Sequence, residues 1–180
     1  MNAFMLMIMM ALAWPSKQAE LWKGTGGIIS FTSDAPLELI EAESNKLTGI
    51  LNVKENTFAF LISTKTFEGF NSPLQQEHFH ENYMDSEKYP SASFSGKFIE
   101  DVSELELGKY ELRAKGMLKI HGVTVERIIK CSMEIESNKI RIESNFVVPL
   151  EDHKISIPQI VHQKIAEEIF VTAKITLQAS

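Results

Sequence analysis

The sequence predicts an all-β fold of antiparallel strands, arranged as a sandwich or a closed barrel, on three observations. Apolar and polar residues alternate with period two through most of the chain, turn signals separate the runs, and nothing shows the strand–helix–strand spacing of a parallel sheet. Closure into a barrel is the favoured arrangement because it removes exposed sheet edges.

From the N-terminus, Phe4–Trp14 reads FMLMIMMALAW, without charge, before Pro15 and the polar Ser16-Lys17-Gln18. The run is about half of the roughly 20 apolar residues that span a bilayer, so it has the form of a secretory signal rather than a membrane anchor. Ala11-Leu12-Ala13 and Ala19 offer small-residue cleavage sites, whereas Met1-Asn2-Ala3 lacks the usual positive start. A buried N-terminal segment of a cytoplasmic protein is the alternative. The expected division is a signal over residues 1–19 and one barrel domain over 20–180, placed in the periplasm or secreted. No cysteine follows the run, so no lipoprotein anchor is expected.

Nine candidate strands follow: Gly26–Thr32, Leu37–Ile40, Leu47–Val53, Thr57–Thr66, Ala92–Ile99, Lys109–His121, Val123–Ile135, Lys139–Val148 and Glu168–Leu177. Within Lys109–His121, Leu112, Ala114, Gly116, Leu118 and Ile120 fall on one parity, and Glu111, Arg113, Lys115, Lys119 and His121 on the other. Lys139–Val148 sorts the same way, with Ile140, Ile142, Phe146 and Val148 opposite Lys139, Arg141, Glu143 and Asn145. In Thr57–Thr66, Phe58, Phe60 and Ile62 share a face. Ser33-Asp34-Ala35-Pro36, Glu55-Asn56, His121-Gly122 and Ser137-Asn138 supply the turns, through residues that tolerate positive φ or bond their own backbone.

One stretch breaks the alternation. Ser72 as N-cap, Pro73 at the first helical position, Glu77 in the opening turn and the spacing of Leu74, His78, Phe79, Asn82 and Tyr83 predict a short helix over Ser72–Tyr83, inside a long connection. A second helical turn is expected over Ile160–Glu167, after Pro158.

Composition bounds the function. The net charge of −6, without a basic patch, argues against nucleic acid as a partner. A single cysteine, Cys131, excludes an intrachain disulfide and a cysteine-built metal site, and its parity with Ile129 and Met133 makes it a buried, inert thiol. Glu77, His78, His80 and Glu81 invite a metal-hydrolase reading, but residues two apart on a helix face different ways. His121 suits a turn role better than catalysis, while His153 and His162 have no evident partner in sequence. With no G-x-S-x-G elbow and no phosphate-cradling glycine loop, no catalytic residue, metal ligand or cofactor site is assigned.

Three blocks carry a resemblance: Phe67-Glu68-Gly69-Phe70-Asn71-Ser72-Pro73-Leu74-Gln75-Gln76-Glu77-His78-Phe79, Asp85-Ser86-Glu87-Lys88-Tyr89-Pro90-Ser91-Ala92-Ser93-Phe94, and Gly116-Met117-Leu118-Lys119-Ile120-His121-Gly122-Val123-Thr124. In this order they resemble the YceI-like family of secreted, lipocalin-like barrels, over about residues 20 to 178. The resemblance implies an eight-stranded antiparallel barrel with a helix on one side, non-enzymatic, whose tunnel holds a polyisoprenoid chain such as a prenylated quinone. The chain departs from many relatives where Asp152-His153-Lys154-Ile155-Ser156-Ile157-Pro158 replaces the more usual aspartate-tyrosine-glycine stretch.

The inward parities supply an apolar wall for such a tunnel: Phe58, Phe60, Ile62, Phe94, Phe98, Leu112, Leu118, Ile129, Met133, Ile140, Ile142, Phe146, Val171 and Ile175, with Ala114, Gly116 and Ala173 leaving room. Alternation is equally required of a filled core, so the resemblance alone turns the reading towards a tunnel. The partner expected is thus a long-chain isoprenoid lipid for transport, storage or stress protection, with no nucleic acid, no stable membrane anchor, and a homodimer left open. Two alternatives stand beside it: a ligand-free envelope interaction module that docks a partner through Ser72–Tyr83, and, less favoured, a metal-dependent hydrolase.

Overall fold

Alternating side chains leave an extended backbone with one apolar face, and such strands are stable only when that face is covered by others of the same kind. In the computed structural model, which describes residues 21–180, the requirement is met by ring closure. The signal expected over residues 1–19 lies outside the described residues. Eight strands are found among the described residues: β1 (Leu21–Ala35), β2 (Glu38–Asn52), β3 (Thr57–Ser63), β4 (Ser91–Phe98), β5 (Gly108–Ile120), β6 (Val123–Ile135), β7 (Lys139–Pro149) and β8 (Glu168–Ala179). Each pairs antiparallel with its neighbour in sequence, and β8 returns to β1, giving a closed up-and-down barrel.

The count corrects the nine runs read from sequence. Leu37–Ile40 and Leu47–Val53 are the two ends of the single strand β2. Between them the alternation continues with Ala42 and Ser44 buried and Glu41, Glu43 and Asn45 exposed. Alanine and serine are too weakly apolar to register as an inward face. Similarly, β1 begins five residues earlier than expected, because Gly24, Gly26 and Gly27 interrupt its pattern. There the register shifts against both β2 and β8, and Gly26 takes φ +76°. A bulge of this kind adds twist and a local bend to the strand.

The helix forms where expected. The Ser72 hydroxyl accepts from the Gln75 amide, Pro73 opens α1 (Pro73–His78), and the chain continues through one wide π-helical turn, Phe79–Tyr83. Only a 3₁₀ turn, Gln159–Val161, and a bonded turn to Ile165 form in the second helical stretch, before the chain extends into β8. The His121-Gly122 turn joins β5 and β6 with both residues at positive φ, +50° and +74°. That is the two-residue geometry whose twist matches antiparallel strands.

Up-and-down order places the strand termini in two groups. At one end lie the starts of β1, β3, β5 and β7 and the ends of β2, β4, β6 and β8. This end is filled: Trp22, Leu51, Phe58, Leu112, Met133, Ile140 and Leu177 are buried in one cluster. The opposite end carries α1 and the 150–167 connection.

Candidate functional site

Inward side chains taper the barrel. Towards the open end they do not meet across the axis, and a cavity of about 510 Å³ remains. Register sets its layers. Phe60 lies opposite Phe94, and Phe94 opposite Leu118, across β3, β4 and β5. On the other side Ile142 faces Ile175, and Phe146 faces Val171, across β7 and β8. Ile129 and Cys131 of β6 and the small Ala114 and Ala173 complete the middle.

Of the residues assigned to a tunnel wall, Phe60, Ile62, Phe94, Phe98, Leu118, Ile129, Ile142, Phe146, Val171 and Ile175 line this cavity. Phe58, Leu112, Met133 and Ile140 share the inward parity but sit in the filled end, below the cavity and outside its lining. Parity tells which face a residue takes, not how far along the barrel axis the interior is filled. The Phe58 ring marks the boundary, with centroids 5.6 Å from Phe60, 5.0 Å from Phe94 and 5.0 Å from Phe98. Together these rings form the floor.

Several lining residues escaped the sequence reading. Ile29 and Phe31 of β1, Ile40 and Leu47 of β2, and Phe67, Phe70 and Phe79 from the helical excursion all reach the cavity. The signal for the last group was present: three phenylalanines in a connection that no hairpin requires. Their rings converge on Phe31, with centroids at 5.5 Å for Phe67, 6.0 Å for Phe70 and 5.3 Å for Phe79. Phe79 stacks almost parallel to Phe31, so the wide turn after α1 is pinned to the barrel by an aromatic cluster.

Three hydroxyls in the wall are engaged by backbone. The Ser144 hydroxyl donates to the Lys130 carbonyl at 2.7 Å, that of Thr64 to the Tyr89 carbonyl at 3.3 Å, and Ser33 Oγ accepts from the Ala166 amide at 2.9 Å. Burial pushes the Cys131 thiol up to about 12, aided by the nearby Glu111 and Glu100, so it remains a neutral, weakly polar wall group. An interior of this kind satisfies hydrocarbon and offers little to a polar solute.

Glu38, Leu74, Gln75, His78, Val161 and Lys164 surround the mouth. Gln75 Nε2 donates to Glu38 Oε1 at 2.9 Å, tying α1 to β2. The connection between β7 and β8 also borders the cavity: Leu150 and Ile155 line it, and Asp152 is held by Arg127 at 3.0 Å. His153 is fully buried, with Nδ1 3.2 Å from the Val123 carbonyl and Nε2 without a hydrogen-bond partner. His121 takes its place in the β5–β6 turn at φ +50°, and its Nδ1 lies 3.2 Å from the carbonyl of His153.

The group considered for a metal does not assemble. His80 Nδ1 faces Ser86 Oγ at 3.3 Å and its ring packs on Phe79, while His78 is exposed at the mouth. Among the described residues, no three His, Cys, Asp or Glu side chains are placed to hold a metal ion. Nor is any helix among them long and apolar enough to cross a membrane.

Comparison with known proteins agrees with this architecture. A polyisoprenoid-binding domain from Saccharophagus degradans, implicated in plant cell wall breakdown, matches with a TM-score of 0.76 at 12% identity, covering 91% of this chain and all of that one. BcnA from Burkholderia cenocepacia matches at 0.67 and 13% identity, over 83% of this chain and 95% of that one. A Campylobacter jejuni YceI protein matches at 0.57 and 13% identity, over 100% and 99% of the two chains. At these identities the likeness is one of fold. No curated protein matches the sequence. The YceI-like domain model matches residues 29–177, nearly the whole barrel from β1 to β8, and the chain therefore belongs to the YceI-like family.

Proposed function

We propose that this protein is a non-catalytic carrier that holds a polyisoprenoid, or a similarly long apolar chain such as the tail of a prenylated quinone, inside the barrel. A single observation carries the reading: a cavity of about 510 Å³ walled by apolar side chains, whose hydroxyls at Ser33, Thr64 and Ser144 are engaged by backbone. The polyisoprenoid-binding domain of the same fold supports it. At the ~30 Å³ a liquid water occupies, and with a methylene of similar size, the volume corresponds to roughly seventeen chain carbons. Burying that many at ~0.8 kcal/mol each contributes about 14 kcal/mol before ordering and association costs. In this reading the wall residues of the cavity are the binding residues, and Phe58, Leu112, Met133 and Ile140 support its floor. The apolar start over residues 1–19 is removed on export, leaving the domain 20–180 in the periplasm or outside the cell.

Docking of a protein partner through α1 has less support, because Phe79 is turned inward onto Phe31 rather than outward. The test is organic extraction and mass spectrometry of protein purified from its own host. An isoprenoid-type lipid is expected in the parent and lost in Ala173→Phe, which fills the middle of the cavity. Parent protein free of lipid, and unable to take up added polyprenol, overturns the proposal.

A further inference from the structure

We propose that the open end of the barrel docks onto a lipid bilayer, with Leu37, Leu39, Leu74 and Ile160 entering the headgroup region around the cavity mouth. The inference rests on the carrier reading and names where the ligand is collected. These four side chains are 67%, 51%, 58% and 91% exposed, large values for residues of this size. They come from three separate segments, and hydrogen bonds gather those segments at one opening. The Leu37 amide donates to the Gln163 carbonyl at 2.8 Å, joining the β1–β2 turn to the stretch that carries Ile160. Asn71 Nδ2 donates to the Leu39 carbonyl at 2.9 Å, joining β2 to the connection that carries Leu74. Leu74 itself lines the cavity, so the apolar rim is continuous with the apolar interior.

The shape of the rim selects a bilayer over a protein. Isolated prongs around a hole leave no flat face for a partner to cover, whereas each can enter a fluid interface separately. A chain leaving a membrane for this cavity through water would expose every methylene on the way. A rim set into the interface removes that exposure. The mouth carries both signs of charge, Lys164 and Glu38 both lining it, and His162 Nδ1 is 3.8 Å from the Glu167 carboxylate. With no basic patch on the chain, contact is driven by apolar insertion and does not require anionic lipid.

The test uses the full chain carrying an environment-sensitive fluorophore on Ile160→Cys at the mouth, or on Leu107→Cys at the filled end. Leu107 is 67% exposed, and the buried Cys131 thiol does not compete for label. Phosphatidylcholine vesicles are expected to blue-shift the label at 160 and leave that at 107 unchanged. Adding Leu37→Asp and Leu74→Asp is expected to weaken vesicle partitioning at least tenfold, with the fold intact by circular dichroism. The proposal is overturned if label 160 stays in water, if both labels shift alike, or if label 160 shifts with protein concentration in the absence of vesicles, which would mark a second copy as the occupant. Uptake of polyprenol delivered in detergent separates the two readings. Failure of the parent there removes the carrier function, whereas normal uptake without vesicle contact removes only the docking.

Discussion

The ring of Tyr89 lies against Gly122 so closely that a Cβ on the glycine would come within 2.3 Å of Tyr89 Cε1. The same ring meets His121 edge-on, with centroids 4.8 Å apart. Two of the sequence blocks that carry the family resemblance are thus in physical contact: the stretch before β4 packs on the β5–β6 turn. Gly122 serves two demands at once, a φ of +74° and the absence of a side chain beneath the tyrosine.

Gly122→Ala is accordingly expected to destabilise the fold by about 2 kcal/mol, through both backbone strain and overlap. Urea unfolding measures it. In a Tyr89→Ala background the same substitution should cost markedly less, since only the strained φ remains; additive losses would contradict the packing argument.

The aromatic floor sets how deep a ligand reaches. Phe94 lines the cavity and its ring centroid lies 5.0 Å from that of Phe58, so Phe94→Ala opens space towards the filled end. Under the carrier reading the variant should retain longer chains than the parent from a mixed polyprenol pool, at a stability loss of about 3 kcal/mol. Mass spectrometry of the bound lipid reads the shift, and an unchanged length distribution counts against the floor as a ruler.

His153 makes stability depend on pH in a defined window. Burial, above all, holds its pKa below the ordinary 6.5, with Arg127 acting in the same direction and the Val123 and Ile120 carbonyls and Asp152 opposing. The unfolded chain therefore takes up a proton near pH 6.5, where the folded one still resists it. The stability associated with neutral His153 is complete above 6.5 and is lost as pH falls through the lowered folded value. Melting temperature should drop between pH 7.5 and 5, and His153→Phe should flatten that slope. A residual slope belongs to His80, whose pKa is also lowered, first by burial and then by Lys65. An identical slope in parent and variant would refute this assignment.

Lys154 holds the left-handed conformation, φ +57°, at the end of the Glu151–His153 turn. A glycine takes that conformation without strain. Lys154→Gly is expected to raise stability by about 0.5 kcal/mol, as relief of strain outweighs the added unfolded-state entropy. Denaturant midpoints decide it, a lowered midpoint being the contrary result.

The sequence by itself determined which residues face inward on most strands, where α1 starts and which pairs turn the hairpins. Each of these is a local property: a parity along an extended backbone, a hydroxyl three residues before an amide, or a residue at ease with positive φ. It could not join the two halves of β2 across Ala42 and Ser44, because weak inward residues become visible only when the opposing strands bury them. Nor could it separate Phe60 and Phe94, at the cavity, from Phe58 and Met133, in the filled end, although all four share one parity. That division depends on height along the barrel axis, which cross-strand register fixes and parity does not encode. The mouth is likewise a tertiary product: Leu37, Leu74 and Ile160 are far apart in the chain and meet only because ring closure brings alternate strand ends to the same rim.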